Sequence, residues 1–111
     1  MEADELLIER GKNGDKQALS KLLGRYQDRI FSYLKKMLKN HHDAEEAAQE
    51  TFVNAIRALK KYEERGQFKS WIYRIAYREG LRKIRTRQSN VEDLVIEPEG
   101  SSQAPDELIF T

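Results

Sequence analysis

The sequence predicts an all-α protein: a compact bundle of about four helices followed by a flexible acidic C-terminal tail. Three observations carry that expectation. Only two prolines and six glycines interrupt 111 residues. Hydrophobic residues at 39% beside charged residues at 35% suit helices with wide solvated faces better than continuous buried strands. Apolar residues also recur at intervals of three and four through most of residues 1–87. At this length the chain is one small domain.

The first helix is expected from about Asp4 to Lys12, with Leu6, Leu7 and Ile8 as its apolar contribution, and it stops at Asn13-Gly14. Asp15 is the expected N-cap of the second, whose stripe of Leu19, Leu22, Leu23, Tyr26, Ile30, Leu34, Met37 and Leu38 runs to about Lys39. After the polar break Asn40-His41-His42, Asp43 is placed as the cap of a third helix, with Glu46 reaching back to it. Ala44, Ala48, Thr51, Phe52, Ala55, Ile56 and Leu59 supply its buried side as far as Lys60. "KYEERGQ" then reads as a loop pivoting on Gly66, and a fourth helix follows from Phe68 to about Arg87. Phe68, Trp71, Ile72, Ile75 and Ala76 form its apolar stripe, and Gly80 is its weak point, costing about 1 kcal/mol against alanine. The domain is thus assigned to 1–87 and the linker-like tail to 88–111, where both prolines lie.

Composition excludes several classes. Without cysteine there is neither a disulfide framework nor a thiolate metal site. His41-His42 beside Asp43 lacks any further ligand spacing, so neither a metal site nor another cofactor is expected. No apolar run approaches a membrane span, and "MEADELLIERG" is acidic where a secretory signal is basic, so a cytoplasmic protein is expected. No nucleophile signature, phosphate loop or converging carboxylate pair appears, and we expect no enzyme.

Charge is more informative. Phe68 to Gln88 holds seven Lys/Arg against Glu79 alone, while the rest of the chain beyond it holds six acids and no base. A basic block beside an acidic tail points to a polyanionic partner for which the tail competes. Arg74, Arg78, Arg82 and Arg85 recur at four, four and three along one side of the fourth helix, flanked by Tyr73 and Tyr77. Cations that take phosphates, next to rings that stack on bases, suit a nucleic-acid strand that is partly unpaired. Lys61, Tyr62, Arg65, Gln67 and Lys69 add to the same end from the preceding loop, where an aromatic and a polar edge suit a base turned out of the stack. Trp71, in contrast, falls on the apolar stripe and is read as packing.

"DAEEAAQETF" poses the opposite puzzle. Its exposed side carries Glu46, Gln49 and Glu50 with no lysine or arginine close in sequence to pair with them.

Three blocks in order, "GDKQALSKLLGRYQDRIFSYLKKML", "DAEEAAQETF" and "FKSWIYRIA", resemble region two of the extracytoplasmic-function (ECF) sigma factors, within the sigma-70 family of bacterial RNA polymerase subunits. That family's patterns are G-D-x-x-A, D-A-E-D-x-x-Q-[DE]-x-F and F-x-x-W-[LI]-x-x-I-A-x-N, and the likeness covers roughly residues 13–87. The resemblance implies that the third helix docks on the clamp helices of the polymerase β′ subunit through Glu46, Gln49 and Glu50, with Val53 and Asn54 as neighbours. It also implies that the loop from Lys61 to Gln67 and the basic helix face promoter DNA, opening the minus-ten element and holding a nontemplate-strand base. An anti-sigma factor is a further partner that the resemblance admits, and no membrane is.

Two positions depart from the family pattern: Arg78 stands at the family's asparagine and Arg82 at a frequent acid, each better suited to phosphate than to a base edge. "APDELIF" resembles the run-up to the family's region four, so the chain is expected to be part of a longer protein. Two other readings fit the same residues: a polymerase-docking module without promoter reading, and a general single-strand nucleic-acid binder.

Overall fold

The computed structural model describes residues 2–63 and 65–91. These form α1 (Asp4–Lys12), α2 (Lys16–Leu38), α3 (His41–Ala58), a short 3-10 turn (Leu59–Lys61) and α4 (Phe68–Val91). Helix α4 runs past Arg87, because no proline or second glycine follows Gly80 within it, so residues 88–91 belong to the helix rather than to a tail. The expected tail from residue 92 onward, like Glu64 in the loop, lies outside the described residues.

Helix α1 lies antiparallel to α2, pinned at both ends by charge. Asp4 accepts from Arg25 at 2.7 Å and from the Tyr26 hydroxyl, while Glu2 pairs with Arg10 at 2.6 Å and with Lys21 at 3.0 Å. Burial, then the Asp4 bond, push the Tyr26 phenol well up from its ordinary value. These ties turn Leu7 and Ile8 into the core and leave Leu6 45% exposed, so Leu6 is not the core residue its spacing suggested. Gly14, at φ 99°, makes the turn, and Asp15 caps α2 by accepting the Ala18 N–H at 3.0 Å. That bond first, and the Arg10 guanidinium second, hold the Asp15 carboxyl below its usual range.

Only Lys39 and Asn40 separate α2 from α3. Lys39 takes the left-handed conformation at φ 55°, which ends α2, and Asn40 returns to extended backbone with its side chain accepting the Asp43 N–H at 2.8 Å. The cap of α3 is therefore Asn40, three residues before the expected Asp43, and both histidines belong to the first turn. The choice is physical: with α2 closed at Lys39, Asn40 is the first side chain able to accept an orphan N–H.

Helices α2 and α3 form an antiparallel pair, and α4 packs across both, parallel to α2 and antiparallel to α3. Its pairings Phe68 with Tyr26, Tyr73 with Tyr33, Glu79 with Asn54 and Arg87 with Asp43 give that order directly. The core is Leu22, Ile30, Leu34 and Leu38 from α2, the alanines 44, 47, 48 and 55 of α3, and Phe68, Ile72, Ile75 and Ala76 of α4. Because α3 presents small residues, the helices approach closely, and Ile56, spaced for burial, is pushed to the rim at 46% exposed. Gly80 is buried where α2 passes: a Cβ there would stand 2.5 Å from Met37 Sδ and 3.2 Å from Leu34 Cδ2. The weak point in helix propensity is thus a contact point in packing.

Candidate functional site

Two surfaces emerge around the α3–α4 pair. The first is built where the chain enters α4. Tyr62 turns its ring to the interior, tilted against Trp71 at 4.9 Å and edge-on to Phe68 at 5.8 Å, while Phe68 meets both Tyr26 and Trp71 at 5.4 Å. This aromatic nest holds the loop from beneath, and Lys12 of α1 ties it down by donating to the Tyr62 carbonyl. The Tyr62 ring, at 6% exposed, is accordingly a support and not the open plate the sequence suggested. Trp71 packs against the core as expected.

Lys61, Arg65, Gln67 and Lys69 are exposed around that nest. Arg65 pairs with Glu63 at 2.5 Å, Gly66 turns the chain at φ 71°, and the Gln67 carbonyl accepts the Trp71 N–H at 2.9 Å to start α4. Along α4, Arg74 and Arg82 are exposed while Arg78 and Arg85 are half-buried. Tyr77 is 36% exposed, and Tyr73 is half-buried, edge to face with Tyr33 of α2 at 5.3 Å. Burial first, then Tyr77 and Tyr73, raise the Tyr33 phenol above its ordinary value. Tyr33 was not singled out in the sequence because its partners lie some forty residues away; only its place at the edge of the α2 stripe hinted at a seam.

The second surface is the outer side of α3. Gln49 and Glu50 are exposed there, and Glu50 has no ion-pair partner among the described residues. Val53 at 38% and Ile56 at 46% exposed add apolar area beside them. Ile56 borders a groove of about 370 Å³ between α2 and α3, floored by Leu19, Leu23 and Phe52. Two expected members behave differently. Glu46 is not unpaired: Lys83 of α4 donates to it and His42 stands 3.1 Å away. Glu46 finds its lysine 37 residues on, beyond the reach of any local spacing rule. Asn54 turns inward, donating at 2.7 Å to Glu79, a carboxylate only 3% exposed that also has Arg82 at 3.7 Å. Such a buried carboxylate requires hydrogen bonds in place, and Asn54 supplies one.

The Lys83 hydrogen bond, more than any other contact, holds the Glu46 carboxyl below its usual range, and Lys21 with Arg10 does the same for Glu2. A carboxyl depressed in the folded state contributes its stability in full above the ordinary value of 4.5 and loses it as pH falls through the lowered one. The melting temperature should therefore drop as pH is taken below about 4.5, and Lys83→Met should drop less over that window than the parent. Melts from neutral to strongly acidic pH, followed by circular dichroism, check this; parallel curves for the two proteins refute the Lys83 share.

Among the described residues no group of three His, Asp or Glu could hold a metal ion, and no helix is long and apolar enough to cross a membrane.

Comparison with known proteins gives the family. The family model for sigma-70 region 2 matches residues 22–95. RNA polymerase sigma-H factor of Pseudomonas aeruginosa is 37% identical over 75 residues, 68% of this chain and 39% of that protein. ECF RNA polymerase sigma factor SigW of Bacillus subtilis is 33% identical over 81 residues, 73% of this chain and 43% of that protein. The chain thus spans about two fifths of the length of the curated relatives it matches. Among solved structures, an engineered region 2 of sigmaE, determined by NMR in complex with GTAAAA, superposes with a TM-score of 0.76 at 30% identity, covering 82% of this chain and 95% of that one. The chain belongs to the sigma-70 region 2 family.

Proposed function

We propose that this chain is the part of an ECF sigma factor that docks on core RNA polymerase and engages the minus-ten promoter element, working in the cytoplasm and catalysing no bond change itself. One observation carries the DNA half: the fold matches, over 82% of this chain and 95% of that one, a sigma region solved with a short nucleic acid. The basic side of α4, the loop from Lys61 to Gln67 and the aromatic seam supply phosphate contacts and stacking surfaces on one edge of that fold. Melting is driven by capture: bases held outside the duplex are available only in the opened state, so binding them shifts the equilibrium toward it.

The docking half rests on α3. Gln49, Glu50, Val53 and Ile56 form an acidic and apolar strip suited to a basic, amphipathic helix pair, the β′ clamp helices being the partner we assign. Glu46 and Asn54 act behind that strip, holding α3 to α4. An anti-sigma factor would compete for the same face. Glu50→Lys combined with Ile56→Ala touches no intramolecular pair, and it should weaken binding to a β′ clamp-helix fragment roughly tenfold, about 1.4 kcal/mol. Titration of the fragment at low salt tests it, and equal affinities for parent and double variant would end the assignment.

A further inference from the structure

The side of α3 that meets α4 carries Asp43, Glu46, Glu50 and Asn54 at spacings of three, four and four. Along α4 the corresponding positions run back in steps of four, from Arg87 through Lys83 to Glu79. Asp43 takes Arg87 at 2.7 Å and Glu46 takes Lys83, so the first two rungs each join an acid to a base. The third rung breaks this rule. Glu50 and Glu79 border one cavity of about 180 Å³, walled by Ala47, Arg82, Lys83 and Thr86, and there an acid stands on α4 where the two earlier rungs have a base.

Glu79 gives this cavity its chemistry. Its side chain is 3% exposed and Asn54 donates to Oε2 at 2.7 Å, while Oε1 accepts no hydrogen bond among the described residues. The neighbouring cations do not supply one. Arg82 Nε stands 3.7 Å from Oε1 on a side chain that is 67% exposed, and the Lys83 ammonium is committed to Glu46. A carboxylate held so deep with one oxygen unbonded is costly until a donor reaches it. A guanidinium meets that need, because its planar fork can donate to Glu50 at the exposed edge and to Glu79 within. We infer that the cavity is a socket for an arginine side chain of the protein that docks on α3, with Glu79 as its inner acceptor. The inference rests on the docking reading of α3 and deepens it, since Glu79 lies outside every family pattern quoted above.

The test titrates a β′ clamp-helix fragment at low salt against the intact chain and its variants, with a thermal melt of each. Glu79→Gln keeps an acceptor for Asn54 and removes the buried charge, so it should hold or raise the melting temperature while weakening fragment binding roughly tenfold. Affinity and stability thus move apart, which a packing role for Glu79 does not produce. Glu50→Gln should weaken binding as well, and the double variant should lose less than the product of the two single losses, because both carboxylates hold one group. Glu9→Gln, exposed on α1, removes the same charge away from α3 and should leave affinity within about twofold of the parent. Affinity of Glu79→Gln no lower than that of Glu9→Gln, or a loss matched by a falling melting temperature, would overturn the socket; the docking reading survives either result if Glu50→Lys with Ile56→Ala still weakens binding. A parent protein without measurable affinity for the fragment would overturn both together.

Discussion

Gly80→Leu is expected to destabilise the domain by about 3 kcal/mol. The site leaves no room: the first added carbon already stands 2.5 Å from Met37 Sδ and 2.8 Å from its Cε, with Leu34, fully buried, at 3.2 Å. A thioether bends aside for one methyl, so alanine would be roughly neutral, gaining about 1 kcal/mol of helix propensity against a similar strain. Leucine needs the volume that Met37 and Leu34 both fill, and either α4 must rise from α2 or those side chains must leave their rotamers. Urea unfolding at constant m-value reads the loss. Adding Met37→Ala should return a good part of it, because the two residues contest one space and their effects are not additive. A Gly80→Leu protein as stable as its parent, or one that Met37→Ala fails to help, would show that the helices do not approach as described.

Tyr77→Ala should weaken single-stranded DNA binding by about 1–3 kcal/mol, some 5- to 150-fold, with a much smaller effect on duplex. Tyr77 is 36% exposed, so trimming it opens no core cavity, and its neighbour Tyr73 remains packed on Tyr33. A base stacked on an open ring loses that contact outright, whereas paired bases in a duplex present only edges and backbone. Arg82→Ala provides the counterpart: it should weaken both substrates alike and lower the salt slope by about 0.7–0.9. Equal losses on strand and duplex for Tyr77→Ala would return the ring to a packing role.

The number and order of the helices were legible because their signals are local: Asn13-Gly14, the Asp15 cap and the apolar spacing of α2 act within a few residues. What escaped was set by residues far apart. Glu46 reads as unpaired until α4 brings Lys83 to it, and Asn54 reads as a surface amide until Glu79 arrives beneath it. Tyr62 reads as an exposed aromatic, yet Phe68 and Trp71 close around its ring. The cap at Asn40 was missed for a different reason. Asp43 is an equally good acceptor, and only the left-handed turn at Lys39 decides between them. On α4 the basic side was legible as periodicity alone, while Tyr33 on α2 required knowledge of which helix lies next to which.

Arg87 reaches back 49 residues to donate to the Leu38 carbonyl, the open end of α2, and 44 residues to Asp43. The far end of the helix that carries the basic row is thus held in part by charges and a borrowed carbonyl. Screening loosens such a hold while sparing the aromatic nest at the near end. Ionic strength thus acts on this chain twice, once by competing for the phosphates of a ligand and once by deciding how firmly the last turns of α4 are clasped when the ligand arrives.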